Sequence, residues 1–325
     1  MKQLLNMEDV QVRIKTHTQE ITALELEHLT LHEGELVALV GETGSGKSMT
    51  ASSIMQLFPT QKAYIGSGRI VFEGTDLLTC SRKQLDHIRG KEITMIFQDP
   101  MSSLNPVFRI GDPIIDVIRT HTGVSTKEAR ERAIQALKFV GLPDPARMLN
   151  RYPHELSGGQ RQRVMIAMAM VCEPKLLIAD EPTTALDVTI QSQILYLIDK
   201  LKKEKGTSVL FITHNLGVVA KMADRIAVMY AGRIVETGRT QAVFRSPRHP
   251  YTRMLLDAIP RISEERDRLP VISGRVLSPA EVGGGCRFAN RCPRVTDQCR
   301  QAVPPLATVG DWHEAACFEP LEEAR

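Results

Sequence analysis

Eight consecutive residues, Gly41-Glu42-Thr43-Gly44-Ser45-Gly46-Lys47-Ser48, have the glycine spacing and terminal Lys-Ser of a phosphate-binding loop. Glycines let successive backbone N–H groups turn toward one anion. Lys47 can then reach the outer phosphates, and the Ser48 hydroxyl can ligate magnesium, with Met49 following into a helix. A second reactive pair closes the apolar run Leu176-Leu177-Ile178-Ala179, where Asp180 and Glu181 stand side by side. Side chains alternate along a strand, so the two carboxylates point differently. Asp180 suits a magnesium shell and Glu181 suits the orientation or deprotonation of an attacking water. An acidic pair after a strand can also open a turn, and Glu181-Pro182-Thr183-Thr184 permits that reading. Between these motifs lies Leu156-Ser157-Gly158-Gly159-Gln160. Its hydroxyl and bare amides at a helix start make a second anion cradle. One nucleotide has little use for two cradles, unless the second serves a nucleotide held by another chain.

The elements that must position these residues are readable in outline. Leu36 to Val40 is an apolar strand feeding the loop, and Met49 to Phe58 is compatible with a helix after it. Leu4 to Val40 alternates with turns, as an antiparallel β region does. From Pro100 to Arg151 the period becomes helical. Ile114, Ile115 and Ile118 share a face, and Ala133, Ile134 and Leu137 repeat after a Ser125-Thr126-Lys127-Glu128 cap. Strands and helices alternate again through Glu236, with a tight turn at Ala231-Gly232-Arg233.

In this order, the motifs resemble the nucleotide-binding subunits of ATP-binding cassette transporters, up to about residue 260. The resemblance implies an α/β P-loop NTPase (RecA-like) core with an antiparallel β subdomain and a helical insertion at about 100–155, together spanning 1–240. It implies ATP and Mg2+ as bound groups. Gln98, in Phe97-Gln98-Asp99-Pro100, matches the loop glutamine that contacts magnesium and attacking water. His214 matches the switch histidine of the terminal phosphate, and Asp187, in Ala185-Leu186-Asp187, the loop that crosses the dimer seam. Ser157, Gly158, Gly159 and Gln160 match the signature that closes over the partner subunit's ATP. Where the family usually stacks an aromatic ring on adenine, this chain offers Ile14, His17 and Ile21, with no aromatic residue before Phe58.

Two further segments, Ser103-Leu104-Asn105-Pro106 and Ser246-Pro247-Arg248-His249-Pro250-Tyr251-Thr252, resemble the branch that imports oligopeptides, dipeptides and nickel complexes. That branch implies an extension over 241–280 and a heterodimer with a second cassette subunit. It also implies two membrane permease subunits, an extracytoplasmic solute-binding protein, and a peripheral position on the cytoplasmic face of the membrane. Nickel or metal–opine complexes stand beside peptides as solutes. A cassette ATPase acting on the ribosome or nucleic acid is the alternative of a different class. Composition does not favour it, since a formal charge of +3 over 325 residues is mild. No apolar run reaches the eighteen or so residues that span a bilayer, and the first residues lack a signal sequence's apolar region, so the expectation is a cytosolic chain.

Four of the six cysteines, Cys286, Cys292, Cys299 and Cys317, fall within residues 281–325. Cytosolic chains rarely keep disulfides, so clustered thiols point to metal. Their separations of five, six and seventeen residues contain no Cys-x-x-Cys knuckle, and Cys292-Pro293 suits a loop around an iron–sulfur cluster. Zinc and unligated thiols are the other readings. Subunits of the dipeptide-importing branch carry a similar cysteine tail, which implies a [4Fe–4S] cluster on these four thiolates. Cys80 and Cys172 stand apart as ordinary residues.

Overall fold

The computed structural model describes residues 2–16, 18–98, 104–184, 187–259 and 272–322. His17, Asp99, Pro100, Ser103, Ala185 and Leu186 therefore lie outside the described residues. The chain divides into two compact units: Gln3–Leu31, Leu36–Leu78 and Ile212–Arg325 form one, and Met1–Lys2, His32–Glu35 and Thr79–Phe211 the other.

In the first unit, β1 (Gln3–Lys15), β2 (Glu20–His32), β4 (Ala63–Phe72) and β5 (Thr75–Asp76) make a sheet ordered β2-β1-β4-β5. This is the expected antiparallel subdomain. β1 pairs antiparallel with β4 from Leu5↔Phe72 to Ile14↔Ala63. The register shifts after Glu8, where Asp9 takes φ 49° beside Gly68 at φ 100°, the signature of a β-bulge. The nucleotide strand β3 (Leu36–Val40) is buried at every position, as a strand covered on both faces must be, and runs parallel to β9 (Arg225–Tyr230). A two-residue turn joins β9 to β10 (Arg233–Arg239). Ala231 and Gly232 are both left-handed there, at φ 44° and 84°, so the hairpin turn matches the twist of its strands.

The cysteine-rich segment builds onto the sheet that holds β3, β9 and β10. β12 (His313–Ala315) pairs antiparallel with β10, and β11 (Ala307–Gly310) with β12. In the same unit Tyr230, Tyr251 and Phe288 are buried in one cluster with Val228, Val235 and Val243. Tyr230 meets Tyr251 edge-on at 4.7 Å and Phe288 at 5.1 Å between ring centroids. Each such aromatic pair adds about 0.5–1.5 kcal/mol beyond the area it buries.

In the second unit, β6 (Ile93–Ile96) and β7 (Leu176–Asp180) run parallel, as the βαβ pattern requires. The helical insertion contains α3 (Gly111–Thr122) and α4 (Thr126–Phe139), which pack on each other, and α4 also lies against the following α6 (Gly158–Met170). The period read from sequence holds: Ile114, Ile118, Ala133 and Leu137 are completely buried, while Ile115 and Ile134 are half-buried. Ser125 caps α4 by accepting the Glu128 N–H at 3.2 Å. Among the described residues no helix is long and apolar enough to cross a membrane.

Candidate functional site

The phosphate loop leaves β3 and enters α1 (Lys47–Met55) through three glycines with positive φ: Gly41 at 154°, Gly44 at 82° and Gly46 at 106°. Gly41 admits no side chain, because a Cβ there would lie 2.2 Å from the Met229 carbonyl oxygen. Gly46 occupies the N-cap, so the first amides of α1 are capped by no side chain and are available to an anion. Lys47 is buried, and its Nζ donates to the carbonyls of Gly41 at 2.8 Å and Glu42 at 3.0 Å. The ammonium thus spans the loop from inside and preserves its open curve. Ser45 is buried, whereas Thr43, Gly44 and Ser48 are exposed; Met49 is half-buried in the helix.

In the second unit Asp180 is buried at the end of β7, 4% exposed. The chain then turns left-handed at Glu181, φ 46°. A non-glycine residue held there costs on the order of 1–3 kcal/mol and persists only where its surroundings enforce it. The turn detaches Glu181 from the strand and brings its Oε2 to 3.2 Å from Gln98 Nε2 and 2.9 Å from Thr184 Oγ1, both of which donate to it. Gln98 and Glu181 are therefore brought together, as a pair acting on one water would be. His214 is exposed directly after β8 (Ser208–Thr213), and Asn215 behind it caps the next helix by accepting the Val218 N–H.

The signature opens α6. Ser157 is its N-cap in a reciprocal box: Ser157 Oγ accepts the Gln160 N–H at 3.3 Å, and Gln160 Oε1 accepts the Ser157 N–H at 3.0 Å. The hydroxyl proton is not used in that box, so Ser157 can donate to an anion while its oxygen accepts. Ser157 and Gly158 are exposed. Gly159 lies under Ile190 of α7 (Val188–Lys205), 2.9 Å from where a Cβ would stand. Asp187 caps α7 through Oδ1, which accepts the Ile190 N–H at 2.9 Å. The spacing Ser-x-x-Gln is the local signal of such a box.

At the far end of the chain, Cys286, Cys292, Cys299 and Cys317 line one small cavity together with His249 and Phe288. The Cys286 N–H donates to the Cys299 carbonyl at 2.7 Å, and Thr296 Oγ1 lies 3.2 Å from Cys299 Sγ. Burial pushes the Cys286 and Cys292 thiols up and that of Cys317 to about 11, and the neighbouring thiolates push in the same direction. Burial also holds His249 down to about 4, with Glu236 opposing, and its neutral Nδ1 accepts the Tyr251 N–H at 3.1 Å. None of the six cysteines is in a disulfide, and Cys80 and Cys172 lie apart from the four. Among the described residues no group of three or more His, Cys, Asp or Glu side chains forms a site for a single metal ion. Arg291, which sequence reasoning passed over, forks onto Glu42 of the phosphate loop.

The chain is similar to known proteins in sequence and in fold. Residues 24–184 match the family model described as ABC transporter, and residues 235–299 that described as oligopeptide/dipeptide transporter, C-terminal region. The chain is 48% identical to the oligopeptide transport ATP-binding protein OppD of Bacillus subtilis, over 95% of this chain and 87% of that one. It is 44% identical to the dipeptide transport ATP-binding protein DppD of Escherichia coli, over 99% and 98%. The solved dimeric, post-hydrolysis ATP-binding cassette MJ0796, bound to ADP and phosphate, superposes with a TM-score of 0.64 at 29% identity, covering 73% of this chain and 99% of that chain. With the phosphate loop, the carboxylate pair, the signature and both family regions in place, the chain belongs to the ATP-hydrolysing subunits of ABC transporters, in the oligopeptide/dipeptide importer group.

Proposed function

We propose that this subunit energises import of peptides through two separate membrane permease subunits, from the cytoplasmic face of the membrane, supplied by an extracytoplasmic solute-binding protein. The observation that carries this reading is the near full-length similarity to proteins named for oligopeptide and dipeptide transport, joined to the match of residues 235–299. Exposed apolar side chains at Phe97, Val107 and Phe108, close in sequence to Gln98, support a docking face for a permease. The exposed signature supports a shared site, in which Ser157 to Gln160 serve a nucleotide held by a second, sister cassette subunit and Asp187 borders the seam.

In this reading the loop amides and Lys47 hold the phosphates and Glu181 takes the proton of the attacking water. Gln98 orients that water, and His214 reaches the terminal phosphate. Ser48 and Asp180 are the oxygen ligands suited to magnesium, which when bound neutralises charge on the phosphates. Affinity purification of the tagged chain from membranes is expected to bring down two permease subunits and a second cassette subunit. Deleting its gene should abolish uptake of short peptides while nickel uptake continues. Salt-sensitive nucleic-acid binding with no membrane partner would sink the proposal.

The four thiols that line one cavity support a cluster reading. A [4Fe–4S] cluster takes thiolates spread round a larger body, and Cys286, Cys292, Cys299 and Cys317 surround one cavity. A cationic centre would also reverse the upward pull on these thiols. Anaerobic purification should yield about four iron and four labile sulfide per chain, lost on Cys292→Ser. A folded, colourless, iron-free anaerobic preparation would remove the cluster.

A further inference from the structure

Glu42 is held at three separate points. Its carbonyl accepts from Lys47 Nζ at 3.0 Å, inside the loop. Its N–H donates to the Tyr251 hydroxyl at 3.0 Å, and Tyr251 is itself fully buried. Its carboxylate receives a two-pronged contact from the cysteine-rich segment: Arg291 Nη1 lies 2.7 Å from Oε2, and Nη2 3.0 Å from Oε1. The Arg291 side chain is only 4% exposed. Its remaining donors go to the Ser273 carbonyl at 2.9 Å and the Ile272 carbonyl at 3.2 Å, and its guanidinium lies against the Tyr230 ring. The fork is thus fixed before any ligand arrives. Arg291 lies 249 positions from Glu42 in the chain and directly precedes Cys292.

We propose that Arg291 is a positioning residue of the nucleotide site, supplied to the phosphate loop by the cysteine-rich segment. A carboxylate in the second position of a loop that must receive a polyphosphate is an electrostatic liability, because like charges at short range disfavour binding. Arg291 offsets that charge with a bidentate pair and, through it, fixes the peptide whose carbonyl orients Lys47. The loop is then both neutralised and preorganised, which lowers the cost of closing on phosphates. This rests on the loop's binding of ATP and holds whether or not the four thiols carry metal.

The test is a rescue experiment on the full chain, read by titration with a fluorescent ATP analogue and by steady-state ATPase assays. Arg291→Ala should weaken ATP binding about tenfold and raise KM far more than it lowers kcat, as loss of a charge-assisted pair beside an anion site would. Because the deficit is electrostatic, it should widen at low salt. Adding Glu42→Gln removes the exposed carboxylate, so the double variant should recover most of the lost affinity. Should the alanine variant fail to fold, Arg291→Gln with and without Glu42→Gln makes the same comparison with the bulk retained. Equal binding by wild type and the single variant would overturn the proposal. So would a double variant no better than the single one, which would mark Arg291 as packing alone. A wild-type chain that binds no ATP would instead strike at the nucleotide reading itself.

Discussion

ATP hydrolysis by Glu181→Gln is expected to fall by about 10²- to 10⁴-fold, the usual worth of a general base, with ATP affinity retained. The geometry makes this substitution clean. Glutamine has the shape of glutamate, and its amide oxygen can still accept from Gln98 Nε2 and Thr184 Oγ1, now 3.2 and 2.9 Å from Glu181 Oε2. The left-handed turn at φ 46° needs no change either. What disappears is the negative charge and the proton acceptor. Single-turnover hydrolysis measures the loss. Size-exclusion of the variant with ATP should show a stabilised dimer, because the closed, nucleotide-bound state is no longer drained by hydrolysis. Turnover within tenfold of wild type would remove Glu181 from the chemistry, leaving it as the turn-opening residue that the Glu181-Pro182-Thr183-Thr184 sequence also allows.

How much of this site was legible depended on how locally each residue is specified. The phosphate loop needs glycine where φ is positive and where Met229 leaves no room for a Cβ, so the backbone dictates its own sequence pattern. The cap of α4 was likewise legible, because Ser125 and Glu128 lie within one turn. α10 spans Pro250–Asp257, with proline at its first position, where a missing N–H costs nothing. Nothing local marks Ala307 to Gly310 as a strand, since its pairing surface is β12, which in turn depends on β10. The Arg291–Glu42 pair was invisible for the same reason: its partners meet only after both segments have packed around Tyr230 and Tyr251.

That packing hangs on one carboxylate, and Glu236→Ala should show it. Glu236 is completely buried in β10, and three donors converge on it. The Arg248 N–H lies 2.6 Å from Oε1, the His249 N–H 2.9 Å from Oε2, and His313 Nε2 2.7 Å from Oε1. One side chain therefore joins the sheet to the start of α10 and to β12. Alanine would leave two backbone N–H groups and an imidazole buried without their acceptor, a loss of about 3–5 kcal/mol. A fall in melting temperature of about 4–7 °C is the corresponding observable for a chain of 325 residues. The damage should not be confined to stability. Tyr251 is held in α10 and Arg291 in the segment that β12 anchors, so freeing both withdraws two of the three restraints on Glu42. Nucleotide affinity should fall along with the melting temperature. If the melting temperature drops while affinity stays intact, the extension is a stabilising collar and its link to the phosphate loop is energetically idle.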